Sequence, residues 1–400
     1  MKKSPFFDFL NRREDVDFEQ YLLGSIEDEH YINWNQYVLP NDYGDAKAEY
    51  LAIRNSCAIF DVSPLRKYRI QGAGSGAFLD HLLTRPASES PSMRGIYVVF
   101  CNQDGSLKDD AILHKYADDD YLLLPSDMDH SMYFDDLCED RGINNVSITD
   151  CTESMVGLAV QGPLSATVMH HMGFEDIAQL EPFAIRNYPS PGGQIRVARM
   201  GFTADLGYEC WMPPEQGGTF ELGIRSVRES MGIGIPGYGL TALQACRLEG
   251  GFIVAGWDCA TEAEPNPGFE RSPFELGLGW LVNLDAADFV GRDALLEQRQ
   301  SACRFTLRSF EIDDPRCPED GAELYANVNG QQRPVGLINC SGWSWDLGRM
   351  IGNASIECSH ADIEEAWTRL EGTAVKVTLS RGPLRRFDRS RQVPAPIGVS

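Results

Sequence analysis

The sequence predicts an α+β protein of more than one domain that ends in a small all-β module. Consecutive strand-like runs are joined by hairpin turn signals, with a few helical segments between them and no regular βαβ alternation. Beyond about residue 300 the pattern is short strands alone. At 400 residues the chain is also too long for one ordinary core and implies two or three domains.

Residues 1–45 are polar and aromatic without a clear period. Ala46, Tyr50 and Ile53 then fall at helical spacing, predicting a short amphipathic helix over 45–57. The run 68–70 reads as a strand that turns at Gly72, and 76–83 as a helix. A β-rich run over 95–101 meets the hairpin signal Asn102-Gln103-Asp104-Gly105, with a return strand near 111–115. After the turn Asp118-Asp119-Asp120 comes a strand over 121–124. A strand over 156–160 leads through Gln161-Gly162-Pro163 into a helix over 164–172. Paired strands over 195–199 and 208–212 flank the loop 201–207. Helices follow near 220–231 and 240–250, the second stopped by Gly250 and Gly251. The C-terminal strands are expected over 303–312, 322–328, 334–338, 354–356 and 375–379. Gly72, Gly74 and Gly76 form a G-x-G-x-G run, but no βαβ unit follows, so a tight turn is the reading rather than a nucleotide loop.

The bulk properties exclude several classes. With 43% hydrophobic and 24% charged residues the composition is that of a folded globular protein, and no run of eighteen apolar residues suggests a membrane helix. A net charge of −24 argues against nucleic acid or an anionic membrane as the partner. Asp8 interrupts the first apolar stretch and Arg12-Arg13-Glu14-Asp15 follows, so a secretory leader is not expected and a cytoplasmic location is. The eleven cysteines are scattered singly, without zinc spacing; buried free thiols are the expectation, and no metal site is predicted.

Three segments carry candidate chemistry. In Lys108-Asp109-Asp110-Ala111 two carboxylates open an apolar strand, and alternation sends them to opposite faces. A carboxylate turned inward needs a donor or a cation; the competing reading is a turn-capping Asp satisfied by a backbone N–H or Lys108. Glu209 lies among apolar and aromatic residues, where a flat heterocycle with adjacent N–H groups would pair with it, or else Arg199 or Arg247 would. Arg247, near the end of an apolar helix, either complements the helix dipole or contacts a carboxylate or carbonyl.

Taken in order, the motifs Arg54-x-Ser56-Cys57-Ala58-Ile59-Phe60-Asp61-Val62-Ser63, Gly95-Ile96-Tyr97, Asp109-Asp110, Val160-Gln161-Gly162-Pro163, Gly201-Phe202-Thr203 with Gly207-Tyr208-Glu209, and Arg247-Leu248-Glu249-Gly250-Gly251 resemble the aminomethyltransferase family. Phe274-Glu275-x-Gly277-Leu278-Gly279-Trp280, Asp288 to Leu295, Pro334-Val335-Gly336 and Cys340-Ser341-Gly342 continue the match, which covers roughly 45–380. That family includes the glycine cleavage T-protein and folate-dependent demethylases. The resemblance implies a three-domain cloverleaf with a central folate-binding hole and a C-terminal β-barrel-like domain. Its expected division is 1–55 plus 146–265, then 56–145, then 266–400. It implies tetrahydrofolate as cofactor, Asp110 as the catalytic residue, and Tyr97, Asp109, Glu209, Arg247 and Trp280 as cofactor-binding residues; either Asp109 or Asp110 faces the folate.

The chain departs from the T-protein pattern at Ile32 to Tyr37, at Pro64-Leu65 after Asp61-Val62-Ser63, and at Pro125 to Asp129. The expected function is therefore tetrahydrofolate-dependent one-carbon transfer from a small methylated donor (a demethylase). A T-protein working with a lipoyl carrier protein is the first alternative, and a non-catalytic folate-binding module the second.

Overall fold

A computed structural model describes residues 1–10, 30–286, 288–301 and 303–394. Residues 11–29, on which part of the leader reading rests, lie outside the described residues. Two five-stranded sheets, a two-stranded hairpin and a closed six-stranded barrel form the framework. The hairpin is β1 (Tyr31–Trp34) and β2 (Tyr37–Pro40). The first sheet runs β10 (Ile185–Ser190), β11 (Gly193–Ala198), β12 (Gly207–Met212), β9 (Val156–Gln161) and β3 (Ala58–Asp61), antiparallel throughout. The second runs β5 (Arg94–Cys101), β6 (Leu107–Ala117), β7 (Asp120–Pro125), β4 (Tyr68–Gln71) and β8 (Ser147–Asp150), again antiparallel. The barrel closes through β13 (Phe305–Ile312), β16 (Arg349–Glu357), β15 (Gln331–Ser344), β14 (Glu323–Val328), β17 (Glu365–Leu370) and β18 (Thr373–Ser380). The α+β expectation with a C-terminal barrel is met. The strands change sheet a few residues after the expected divisions at 55/56 and 145/146, since β3 still belongs to the first sheet and β8 to the second.

Strand alternation decides what each sheet face does. In β12, Tyr208, Cys210 and Met212 enter a core built with the helices Ser165–His171 and Gly217–Met231. Glu209 and Trp211 are thereby sent to the opposite face. In β6, Ala111 and Leu113 pack with the helices Ser75–Leu82 and Ser131–Arg141, which sends Asp110, Ile112 and Tyr116 the other way. The two remaining faces meet each other. Trp211, Ala159 and Phe60 of the first sheet join Leu122, Leu124, Ile112 and Tyr116 of the second in one cluster. The helices Ala46–Asn55 and Leu240–Glu249 add Tyr50, Ile53, Ala242 and Cys246 to it. The first of these helices starts at Asp45, whose side chain accepts from the Ala48 N–H at 3.0 Å.

The glycines of the motifs are explained by close approach. A Cβ on Gly201 or Gly207 would sit 2.2 or 2.1 Å from the Gln161 amide, which is held by Thr203 Oγ1 at 2.9 Å. Gly162, at φ +117°, would place a Cβ 2.6 Å from the Ser56 carbonyl oxygen. Three sequence motifs are thus one packed corner, where the first sheet meets the end of the helix Ala46–Asn55. The run Gly72 to Gly76 is a close backbone crossing: Cβ atoms on Gly72 and Gly74 would lie 2.4 and 2.2 Å from the carbonyl oxygens of Asn145 and Asn144.

One expectation is corrected. Cys303 and Cys358 form a disulfide, with Cα atoms 6.0 Å apart, and nine other cysteines are free. Antiparallel pairing of Phe305 with Glu357 sets the start of β13 beside the end of β16, a neighbourhood that a sequence separation of 55 conceals. Among the described residues no helix is long and apolar enough to cross a membrane.

Candidate functional site

Asp110 and Glu209 project from the inner faces of the two facing sheets. The strand carrying Asp110 begins at Leu107, four residues before the expected start, because the ladder with β5 continues past the bulge at Phe100 and Cys101. Asp110 lies opposite Val99, and Tyr97 opposite Ile112, on the same sheet face. The Tyr97 hydroxyl donates to Asp110 Oδ2 at 3.0 Å. Asp110 is enclosed by protein yet keeps accessible surface, so it lines an internal recess. Burial, then the nearby Asp109 and Asp258 charges, push its carboxyl up to about 7, against the opposing pull of the Tyr97 hydroxyl and the Ala255 amide.

Asp109 points to the other face of β6. Its Oδ2 accepts from Ser126 Oγ at 2.7 Å and faces His130 Nε2 at 2.9 Å, while Oδ1 accepts the Asp110 N–H at 2.8 Å. Both oxygens are engaged and the residue is fully buried. Lys108 does not serve it; that ammonium pairs with Glu262 at 2.6 Å. Of the two carboxylates, Asp110 is the one on the recess.

Glu209 is the less ordinary group. Neither Arg199 nor Arg247 reaches it: Arg199 Nη1 donates to the Leu180 carbonyl at 2.9 Å, and Arg247 pairs with Asp258 at 2.6 Å. The ion-pair reading is thereby excluded. Among the described residues the donor that acts on Glu209 is the Trp211 indole, whose N–H is itself buried and outside hydrogen-bond geometry. Burial alone drives the Glu209 carboxyl from its ordinary 4.5 up to about 7. A carboxylate without donors, beside accessible space, fits a ligand that brings N–H groups.

Arg247 is buried and its donors are largely spent. Nε bonds Gln244 Oε1 at 2.8 Å, Nη1 bonds the Phe252 carbonyl at 2.9 Å and Asp258, and Nη2 reaches Cys340 Sγ at 3.1 Å. It ties the helix Leu240–Glu249 to the barrel rather than opening onto the recess. Trp280 stands at the rim, 66% exposed, with its ring 6.3 Å from that of Tyr97. Arg85 lies 5.8 Å from the Trp280 ring and donates to the Tyr97 carbonyl at 2.6 Å. Sequence reasoning missed Ser126, His130 and Asp258. Asp258 holds Arg247, the Val254 N–H, Cys340 and Asn353 together, yet nothing in its local sequence marks it.

Two inner-face carboxyls are thus pushed up to about 7, one of them bonded by a phenol, which suits groups that exchange a proton or accept N–H donors near neutrality. Residues 28–286 match the family model described as the GCVT N-terminal domain, and the chain belongs to that family. An aminomethyltransferase of Thermoanaerobacter pseudethanolicus is 25% identical over 96% of this chain and 95% of its own. One of Caldanaerobacter subterraneus subsp. tengcongensis is 27% identical over 88% of this chain and 89% of its own. The solved glycine cleavage system aminomethyltransferase T of Bartonella henselae shares the fold, with a TM-score of 0.79 at 20% identity, covering 98% of this chain and 99% of that one.

Proposed function

We propose that this chain is a tetrahydrofolate-dependent aminomethyltransferase that takes its one-carbon unit from an aminomethyl group on a lipoyl carrier protein and releases ammonia. Full-length similarity to proteins named for that activity favours this donor over the small methylated compound expected from sequence. The observation that carries the folate reading is Glu209, a donor-less carboxylate on an inner sheet face. Glu209 would hold the pterin by accepting its N–H groups. Tyr97 and Trp280, with rings 6.3 Å apart, would offer aromatic surface to the folate. Bound tetrahydrofolate supplies the nitrogen nucleophile. Asp110, held by the Tyr97 hydroxyl at 3.0 Å, would serve as the proton acceptor at its carboxylate oxygens. Asp109 and Arg247 position rather than touch: one fixes β6, the other fixes the barrel to the helix Leu240–Glu249.

The small-donor reading has one observation in its favour. Pro64-Leu65 replaces the histidine-methionine of T-proteins, and Leu65 packs against the inter-sheet cluster. Incubating the protein with tetrahydrofolate and either an aminomethyl-loaded lipoyl carrier or sulfonium, betaine and N-methyl donors separates the two. Methylenetetrahydrofolate and ammonia from the loaded carrier are expected. Methyltetrahydrofolate formed only from a small donor would replace the carrier reading. Tight folate binding without turnover on any donor would make the chain a binding module.

A further inference from the structure

Behind the recess lies a second polar cluster that the proposed reaction does not use. Asp109 and Asp110 are neighbours on β6 and point to opposite faces, so the sheet is the partition between them. On the far side the Asp109 carboxylate collects three donors: Ser126 Oγ at 2.7 Å, His130 Nε2 at 2.9 Å and the Asp110 N–H at 2.8 Å. An ionised carboxylate only accepts, so His130 Nε2 carries the hydrogen in that contact. His130 is itself buried, its ring edge-on to Phe100 at 5.0 Å and 5.6 Å from Phe134, and its backbone N–H donates to the Tyr68 hydroxyl at 2.8 Å. Such a ring has little freedom to leave Asp109.

We propose that His130 is a positioning residue for Asp110: by donating to Asp109 on the sheet's far face it fixes that carboxylate, which accepts the Asp110 N–H and sets its charge beside the Asp110 carboxyl. This rests on the reading of Asp110 as the proton acceptor. The groups that face Asp110 are Tyr97 on β5 and Asp258 with Cys259 on the loop beside it, while Asp109 acts on it from the opposite sheet face. Those that face Asp109 are His130, Ser126 and Asp127. Burial does most to raise Asp110, and the Asp109 charge comes next, so the state of Asp109 contributes to the titration of Asp110. Removing a donor from a buried carboxylate favours its protonated form. Asp109 then carries less negative charge, and Asp110 titrates at lower pH.

The test uses ligand-free protein labelled with 13C at aspartate carboxyls, the Asp110 signal being assigned by its absence in Asp110→Asn. His130→Phe retains the ring packing and deletes the donor; it is expected to move the Asp110 midpoint down by about one pH unit. Ser126→Ala removes the other side-chain donor and is expected to move it in the same direction, which keeps the test open should His130→Phe fold poorly. His130→Gln, which preserves an N–H, is expected to restore the midpoint. An unmoved midpoint in both His130→Phe and Ser126→Ala overturns the inference, as does a shift that His130→Gln fails to reverse. Failure of the proton-acceptor reading shows separately: Asp110→Asn would then turn over normally, whatever the titration shows.

Discussion

Replacing Glu209 by Gln should stabilise the ligand-free protein while crippling its proposed binding site. The carboxyl titrates at 4.5 ordinarily and at about 7 when folded. The folded state therefore binds more protons than the unfolded state between those values, and stability falls as pH rises through that window. Below about pH 4.5 the group is neutral in both states and costs nothing; above about 7 the full penalty applies. The gap corresponds to about 3 kcal/mol. Because Glu209 keeps contact with accessible space, solvent screening reduces this, and a gain of roughly 1–2 kcal/mol is expected from Glu209→Gln at pH 8. At pH 5 only about a quarter of that gain should remain. Urea unfolding of both proteins at the two pH values measures it. The same substitution removes the charge that accepts two N–H groups, at a cost of roughly 1.5–3 kcal/mol per charged hydrogen bond, so tetrahydrofolate affinity should fall at least about tenfold. A wild type as stable as the variant at pH 8, or a gain equal at both pH values, would refute the view of Glu209 as a carboxylate left without donors.

Other perturbations probe the remaining parts. Asp110→Asn should lower kcat on the order of 100-fold or more while changing folate affinity little, as read by steady-state kinetics and calorimetric titration. Tyr97→Phe removes a hydrogen bond that favours ionised Asp110, so the acid limb of the kcat profile should move to higher pH. Gly207→Ala forces a Cβ to within 2.1 Å of Gln161 and should destabilise by roughly 1–3 kcal/mol; adding Gln161→Ala should recover part of that loss in the same unfolding assay. Cys303→Ser opens a cross-link spanning 55 positions, a change worth up to about 4 kcal/mol in chain entropy, visible as a lower unfolding midpoint only under oxidising conditions.

Much of the fold is legible wherever one face of an element is apolar. Tyr50 and Ile53 set the helix Ala46–Asn55, and Tyr208, Cys210 and Met212 set the strand that carries Glu209. Segments lacking that contrast stay hidden. The edge strand Ser147–Asp150 is polar and mostly exposed, and the helix Ser131–Arg141 buries only Phe134 and Leu137. The site divides the same way. Alternation alone says that Asp109 and Asp110 part company, yet which one meets the recess depends on helices packed against the far face, and those include His130 from a stretch with no motif of its own. The clustered glycines point to a tight corner, but that Gln161 fills it emerges only once the strands pair. Arg247 illustrates the reverse: a cation in a helix invites a ligand, and a distant Asp258 has already claimed it.

A crystal structure of the protein with tetrahydrofolate bound at about pH 8 tests the central claim most directly. The expected result has the pterin in the recess between the two sheets, its amino and ring N–H groups within hydrogen-bond reach of Glu209, and its reacting nitrogens turned toward Asp110. A pterin bound elsewhere, or one in the recess that leaves Glu209 unpaired, would contradict the account.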